Sequence, residues 1–159
     1  MILINNKKID QAEATHFYSK KKWIYSKHNL VFINENNTKK TIKIPTPFWK
    51  KILGFSRVLR RLLRLDQCTI KVIDDITNTL IIIKDGIVYH YNHKQEKLIP
   101  TLTLKQCKHL LHDSICITPN GDIIFGEYGR NPQRHSVPIY KSSNNGLTWE
   151  TVYKIPSGK

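Results

Sequence analysis

Short runs of apolar and β-branched residues alternate with polar turn residues along most of this chain, a pattern typical of antiparallel β-hairpins. Three such hairpins, each ending at a proline, span residues 30–44, 86–99 and 137–155. The closing prolines, Pro45, Pro100 and Pro156, lie 55 and 56 residues apart. A period of about 50 residues with several short strands in each repeat predicts the blades of a β-propeller.

Two of the repeats contain a second, inner hairpin, which gives each of them the four strands of a full blade. Their inner turns carry Asp85-Gly86 and Asn120-Gly121, and such pairs supply the positive φ that tight hairpin turns require. We therefore predict an all-β chain that forms a partial β-propeller of about two to three antiparallel blades. The blade-like units span 15–45, 67–104 and 110–156, within one domain, 1–159.

Residues 47–65 depart from the strand pattern because their apolar residues recur at helical spacing. A helical wheel places Phe48, Ile52, Phe55, Leu59 and Leu62 on one face, and Lys50, Arg57, Arg60, Arg61 and Arg64 on the other. Pro47 suits the first turn of a helix. We predict one basic amphipathic helix over 47–65, inserted between the first two blades.

The charge of the chain is concentrated in the same half. The 159 residues carry a net charge of +14, of which +12 lies before Asp66. Three interpretations of the helix stay open: its apolar face packs on the propeller, it docks on an anionic membrane surface or a protein partner, or it binds nucleic acid through phosphates. The periodicity favours packing, and nucleic-acid binding rests on charge alone because no base-reading motif occurs.

The segment Ser142-Ser-Asn-Asn-Gly-Leu-Thr-Trp149 has a distinctive turn pattern. It resembles the Asp-box, or bacterial neuraminidase repeat, of sialidase-like β-propellers: Ser142, Gly146, Thr148 and Trp149 match, and Asn144 stands where the family has Asp. An Asn at this position can accept backbone hydrogen bonds across the turn, as an Asx-turn does. The resemblance implies a structural turn on the propeller rim and a function in carbohydrate binding or glycoside hydrolysis. The Phe/Tyr-Arg-Ile-Pro tetrapeptide that begins the sialidase active site is absent from this sequence, so the catalytic residues stay unknown.

Polar residues that follow one apolar strand are the candidates for ligand binding, because loops on a rigid scaffold often carry function. The candidates are His112, Glu127, Tyr128, Arg130 and Arg134. Glu127 and Arg134 suit a sugar or an anion, and His112 suits acid or base chemistry. The alternative is a solvated loop between strands whose ion pairs contribute little.

The cysteines predict neither disulfides nor a metal site. Cys68, Cys107 and Cys116 include no CxxC pair, which indicates reduced thiols. The spacing of Cys107, His109, His112 and Cys116 matches no structural zinc pattern, so we predict no metal and no cofactor.

Localisation and the number of blades are the remaining expectations from the sequence. The first residues lack a signal peptide and no apolar run reaches the roughly 18 residues of a membrane span, which predicts a cytoplasmic protein. Propellers usually have about four to eight blades, so we expect the N-terminal portion of a longer propeller; the alternative is that copies complete a ring. The sequence leaves the oligomeric state open.

Overall fold

The chain divides into two compact units, Met1–Cys68 and Thr69–Lys159. The structure is a computed structural model, which describes residues 2–4, 7–9, 14–18, 21–26, 29–33, 39–63, 65, 67–74, 79–92, 94–108, 110, 114–128 and 135–157. Side chains are described from residue 40 onward, other than those at 57 and 61. The prediction of a single domain stays a prediction.

The first unit contains two antiparallel sheets. Strand β1 (Ile2–Ile4) pairs with β2 (Lys7–Ile9). A four-stranded meander follows, formed in chain order by β3 (Ala14–Tyr18), β4 (Lys21–Ser26), β5 (Asn29–Ile33) and β6 (Lys39–Lys43). The sequence had indicated only the β5–β6 hairpin, because the lysine-rich β4 hides its strand alternation. This repeat therefore has the four strands of a full blade.

Two short helices follow β6 where the sequence predicted one long helix. They are α1 (Phe48–Leu53) and α2 (Arg57–Leu62). The helix breaks at Gly54, which costs about 1 kcal/mol in a helix interior relative to alanine. Ser56 immediately precedes α2, and its hydroxyl accepts the backbone N–H of Leu59 at 3.5 Å, as an N-cap residue does. The insertion is present, but it is divided in two.

The second unit begins with a four-stranded antiparallel meander. Its strands are β7 (Thr69–Asp74), β8 (Thr79–Lys84), β9 (Ile87–Asn92) and β10 (Lys97–Thr103). All six residues of β8 are buried, which explains its nearly continuous apolar run. Pro100 does not end β10 as predicted: it lies at a bulge within this edge strand, a position where proline is tolerated.

The second meander of this unit has the same construction. Its strands are β11 (Ile115–Ile117), β12 (Ile123–Gly126), β13 (Val137–Ser142) and β14 (Glu150–Ile155). The edge strand β14 is exposed along its whole length. Residues 75–78, between β7 and β8, lie outside the described residues.

The core of the second unit lies between these two sheets. Its buried members come from both sheets and from the connection between them: Ile81, Ile83, Val88, Leu104, Cys107, Leu110, Ile115, Ile123, Phe125 and Tyr140. The Asp85–Gly86 turn supports this connection, since Gly86 donates to the Lys108 carbonyl and accepts from the Leu104 N–H, at 2.8 and 2.7 Å. Both turn residues have positive φ, as the sequence predicts for this pair.

Candidate functional site

Glu127, one of the predicted ligand-binding residues, is fully buried just after β12. Its Oε1 accepts the backbone N–H groups of Gln106 and Cys107, and its Oε2 accepts the Tyr140 hydroxyl at 3.0 Å. A buried carboxylate requires such partners, because leaving a charge without them is costly. In the described structure Glu127 therefore links the connection between the two sheets, through Oε1, to Tyr140 of β13, through Oε2.

The other four candidates are distributed differently. Tyr128 follows Glu127 in the chain and is 73% exposed. His112, Arg130 and Arg134 lie outside the described residues, so ligand binding by this group stays a prediction. Among the described side chains, no three His, Cys, Asp or Glu residues come together in a group that could hold a metal ion.

Two ionisable groups beside Glu127 remain neutral over the physiological range. Burial, followed by the charge of Glu127, raises the pKa of the Cys107 thiol to about 12. Burial also raises the pKa of Tyr140 to about 12, with further contributions from its hydrogen bond to Glu127 and from the charge of that carboxylate. Because the thiolate is the reactive form of cysteine, Cys107 is unsuited to be a nucleophile.

The turn from Ser142 to Trp149 is held by its own side chains. Asn144 Oδ1 accepts the backbone N–H of Thr148 at 2.9 Å, and Asn144 Nδ2 donates to the Thr148 hydroxyl at 2.8 Å. The buried Ser142 hydroxyl accepts the N–H of Gly146 at 2.9 Å. Asn145 and Gly146 have φ of 57° and 83°, a conformation that Asn and Gly tolerate best.

This turn packs against the preceding sheet of the same unit. The Asn145 carbonyl accepts a hydrogen bond from His90 Nδ1 at 2.9 Å, which fixes the proton on that nitrogen. Trp149 Nε1 donates to Thr101 Oγ1 at 3.1 Å. The Trp149 ring also meets Phe125 edge-on, with ring centroids 4.9 Å apart. The turn thus joins the two sheets, which is a structural task.

The helical segment, residues 47–65, carries the most concentrated exposed apolar surface of the described chain. Eight of the 14 exposed large apolar side chains in the described part lie here: Phe48, Trp49, Ile52, Phe55, Val58, Leu59, Leu62 and Leu63. These exposures give no support to the interpretation favoured by periodicity, that this face packs on the propeller, and it stays a prediction. Arg60, predicted on the solvated face, is instead buried.

Positive charge accompanies this apolar surface. The helical segment contains six basic residues and no acidic one. Lys51 is exposed, and the Lys50 ammonium lies 5.3 Å from the centroid of the Trp49 ring. No helix in the described part of the chain is long and apolar enough to cross a membrane.

Sequence reasoning identified this segment but missed the roles of its break and of Arg60. Gly54-Phe55-Ser56 was the available signal, because a glycine followed by a preferred N-cap residue is how one helix ends and the next begins. The helical wheel concealed it, since a wheel assumes a continuous helix.

Comparison with known proteins supports the fold. No protein-family model matches this chain, and no curated protein matches it. Among solved structures, the chain is similar to a streptogramin B lyase structure, at 11% sequence identity and a TM-score of 0.51. The match covers 89% of this chain and 39% of that neighbour's, so the chain spans less than half of the neighbour's length. At this identity the likeness shows the fold alone, a partial β-propeller.

Proposed function

We propose that this protein is a β-propeller-like interaction module that docks on an anionic membrane surface through the helical segment, residues 47–65. The observation that carries the proposal is the set of eight exposed large apolar side chains within this segment. Contiguous exposed apolar surface commonly marks a site of protein or membrane interaction. Scattered surface leucines would not have this meaning, but these residues follow one another in one short segment, six of them on its two helices.

The chemistry of the segment suits the boundary between water and lipid. Phe48, Phe55 and Leu62 are each more than two-thirds exposed, so insertion removes most of their surface from water. Burying one such side chain contributes about 1.5–3 kcal/mol. Trp49 beside Lys50 adds an amphipathic ring of the kind enriched at membrane interfaces.

The charge favours a lipid surface over an apolar protein partner. Besides the buried Arg60, five basic residues without an acidic one complement anionic headgroups, and each Lys or Arg near such a surface contributes about 1 kcal/mol. The net charge of +12 before Asp66 adds attraction at longer range. An interfacial helix needs both parts, apolar contact and electrostatic attraction.

Vesicle co-sedimentation tests the proposal with a matched pair of variants. The first variant replaces Phe48, Phe55 and Leu62 by serine. The control makes the same replacement at Tyr128, Leu147 and Val152, which are exposed outside the segment. Each is measured with phosphatidylcholine vesicles that contain or lack phosphatidylserine. We expect the first variant to lose at least about a hundredfold in partitioning to anionic vesicles, and the control to bind like the wild type.

Two results would refute membrane docking. One is the absence of wild-type binding to anionic vesicles, and the other is equal loss in both triple variants. A protein that ignores vesicles yet is captured through residues 47–65 by one defined protein would make the partner a protein.

Carbohydrate recognition is a second candidate, and it is supported by the Ser142–Trp149 turn. Within this turn Asn144 accepts the Thr148 N–H and Ser142 accepts the Gly146 N–H, which supports the likeness to the Asp-box. The turn supports a relationship in fold more than a glycan site, which would lie elsewhere and include the candidates around Tyr128. A glycan array and a set of chromogenic glycosides test this function. The absence of binding and of turnover on all of them would exclude it.

A further inference from the structure

The break between α1 and α2 places one aromatic side chain at the outside of the segment. Gly54 ends α1 by donating its N–H to the Lys50 carbonyl at 2.8 Å, and Phe55 donates to the Ile52 carbonyl at 3.1 Å. Ser56 then accepts from the Arg60 N–H through its carbonyl at 3.0 Å and opens α2. Phe55 lies between these two ends and is 95% exposed. It is the most exposed of the large apolar side chains described.

Arg60 reaches back across this break. Its guanidinium Nη1 donates to the Gly54 carbonyl at 2.9 Å, and the residue is only 2% exposed. Gly54 is the C-cap of α1, where backbone carbonyls lack partners within the helix and where a cation is favoured. A charged side chain is rarely buried without such a partner. The contact thus ties the end of α1 to the second turn of α2 and fixes the conformation of the break.

We propose that Gly54–Ser56 is a preformed insertion tip, that Phe55 is its membrane anchor, and that Arg60 is the positioning residue that holds it. This inference rests on the proposed membrane docking and names the part of the helical segment that enters the lipid. Phe48 and Leu62 contact the interface on either side of the tip.

The physical advantage of a fixed tip is a lower cost of binding. Ordering a flexible loop at an interface removes backbone and side-chain entropy, at about 1–2 kcal/mol for each residue's backbone. A break that Arg60 already holds in one conformation avoids that cost, so the area of Phe55 contributes fully to affinity. Arg60 is shielded from solvent, so its effect comes through geometry and not through direct contact with headgroups.

A fluorophore at position 55 tests the tip directly. Phe55→Cys in a Cys116→Ser background accepts a thiol-reactive NBD group, since Cys68 and Cys107 are buried. Tyr128→Cys in the same background is the control, because Tyr128 is an exposed aromatic residue outside the segment. With phosphatidylserine vesicles we expect a blue shift and brighter emission at position 55 and no change at 128.

The role of Arg60 is tested by Arg60→Lys and Arg60→Gln combined with the label at position 55. Lysine retains the charge but lacks the planar guanidinium fork, so a positioning role predicts that both variants lose most of the blue shift. The salt dependence of Arg60→Lys binding should equal that of the wild type, because its count of charges is unchanged. A full blue shift at position 55 in both variants would overturn the positioning role.

Failure of this inference is distinguishable from failure of membrane docking. If the wild type binds anionic vesicles but the label at position 55 stays in water, the tip is refuted and the docking function stands. If the wild type does not bind the vesicles, both are refuted. Phe55→Ser gives an independent check that does not depend on folding, because it changes a side chain that is almost fully exposed. It should lower partitioning to anionic vesicles about tenfold or more.

Discussion

Gly146→Ala is expected to destabilise the protein more than any ordinary glycine substitution in a turn, because two separate costs coincide at this position. Gly146 has φ of 83°, a region that costs an L-residue about 1–2 kcal/mol. A methyl group on its α-carbon would also overlap the Cδ1 of Ile81 and approach the Trp149 ring to 3.3 Å. Ile81 is fully buried, so its methyl has little room to move.

The size of the effect follows from the sum of the two costs. Forcing an extra methyl into a packed core costs about 1–3 kcal/mol. We therefore expect Gly146→Ala to lower the free energy of unfolding by about 2–5 kcal/mol. Gly121→Ala is the matched control: its φ is 85°, but no atom lies within 4 Å of the added methyl. It should cost only about 1–2 kcal/mol.

Urea unfolding followed by circular dichroism measures both variants, with the midpoint compared at constant m-value. Ile81→Val provides the second arm, because it removes the Cδ1 methyl that the new alanine would meet. The loss in the double variant should be smaller than the sum of the two single losses. Equal losses for Gly146→Ala and Gly121→Ala, with additive behaviour in the double variant, would show that the turn does not pack on Ile81.

Three further predictions concern buried ionisable groups and thiols. Glu127→Ala should cost about 3–5 kcal/mol in unfolding free energy, since it leaves buried donors without an acceptor. Tyr140→Phe should cost less. A double-mutant cycle measured by urea unfolding should show coupling between the two residues, and its absence would contradict their hydrogen bond. The pKa of Cys107 is about 12 in the folded protein against an ordinary 9.0, so its contribution to stability is fully present below about pH 9 and is lost as the pH rises towards 12. Cys107→Ala should reduce that alkaline loss of the urea midpoint, and an unchanged pH profile would contradict the assignment. Iodoacetamide should modify Cys116 alone in the native protein, because Cys68 and Cys107 are buried, and rapid native labelling at either buried thiol, read by peptide mass spectrometry, would contradict the packing.

The local turns could be predicted because their chemistry lies within a few residues. Asp85-Gly86 requires positive φ whatever surrounds it, and the structure has that conformation. Asn144 reaches Thr148 within the same turn, so spacing alone was informative. The hairpins and their repeat period follow from such local signals, and together they allowed the partial β-propeller to be predicted.

Contacts between distant residues could not be read in the same way. Glu127 looked like an exposed ligand residue, but its partners lie 20 and 21 residues away in the connection between the sheets. Arg60 looked like a member of a solvated face, but the break at Gly54 turns it inward. In both cases a charged residue was assigned to solvent because local patterns contain no information on tertiary partners.

The partition coefficient of the wild-type protein on vesicles with and without phosphatidylserine is the most direct test of membrane docking. The exposed apolar residues and the basic charge of residues 47–65 predict binding that is at least about tenfold stronger with the anionic lipid and that weakens as salt is added. Equal partitioning to both kinds of vesicle, or none to either, would contradict the account.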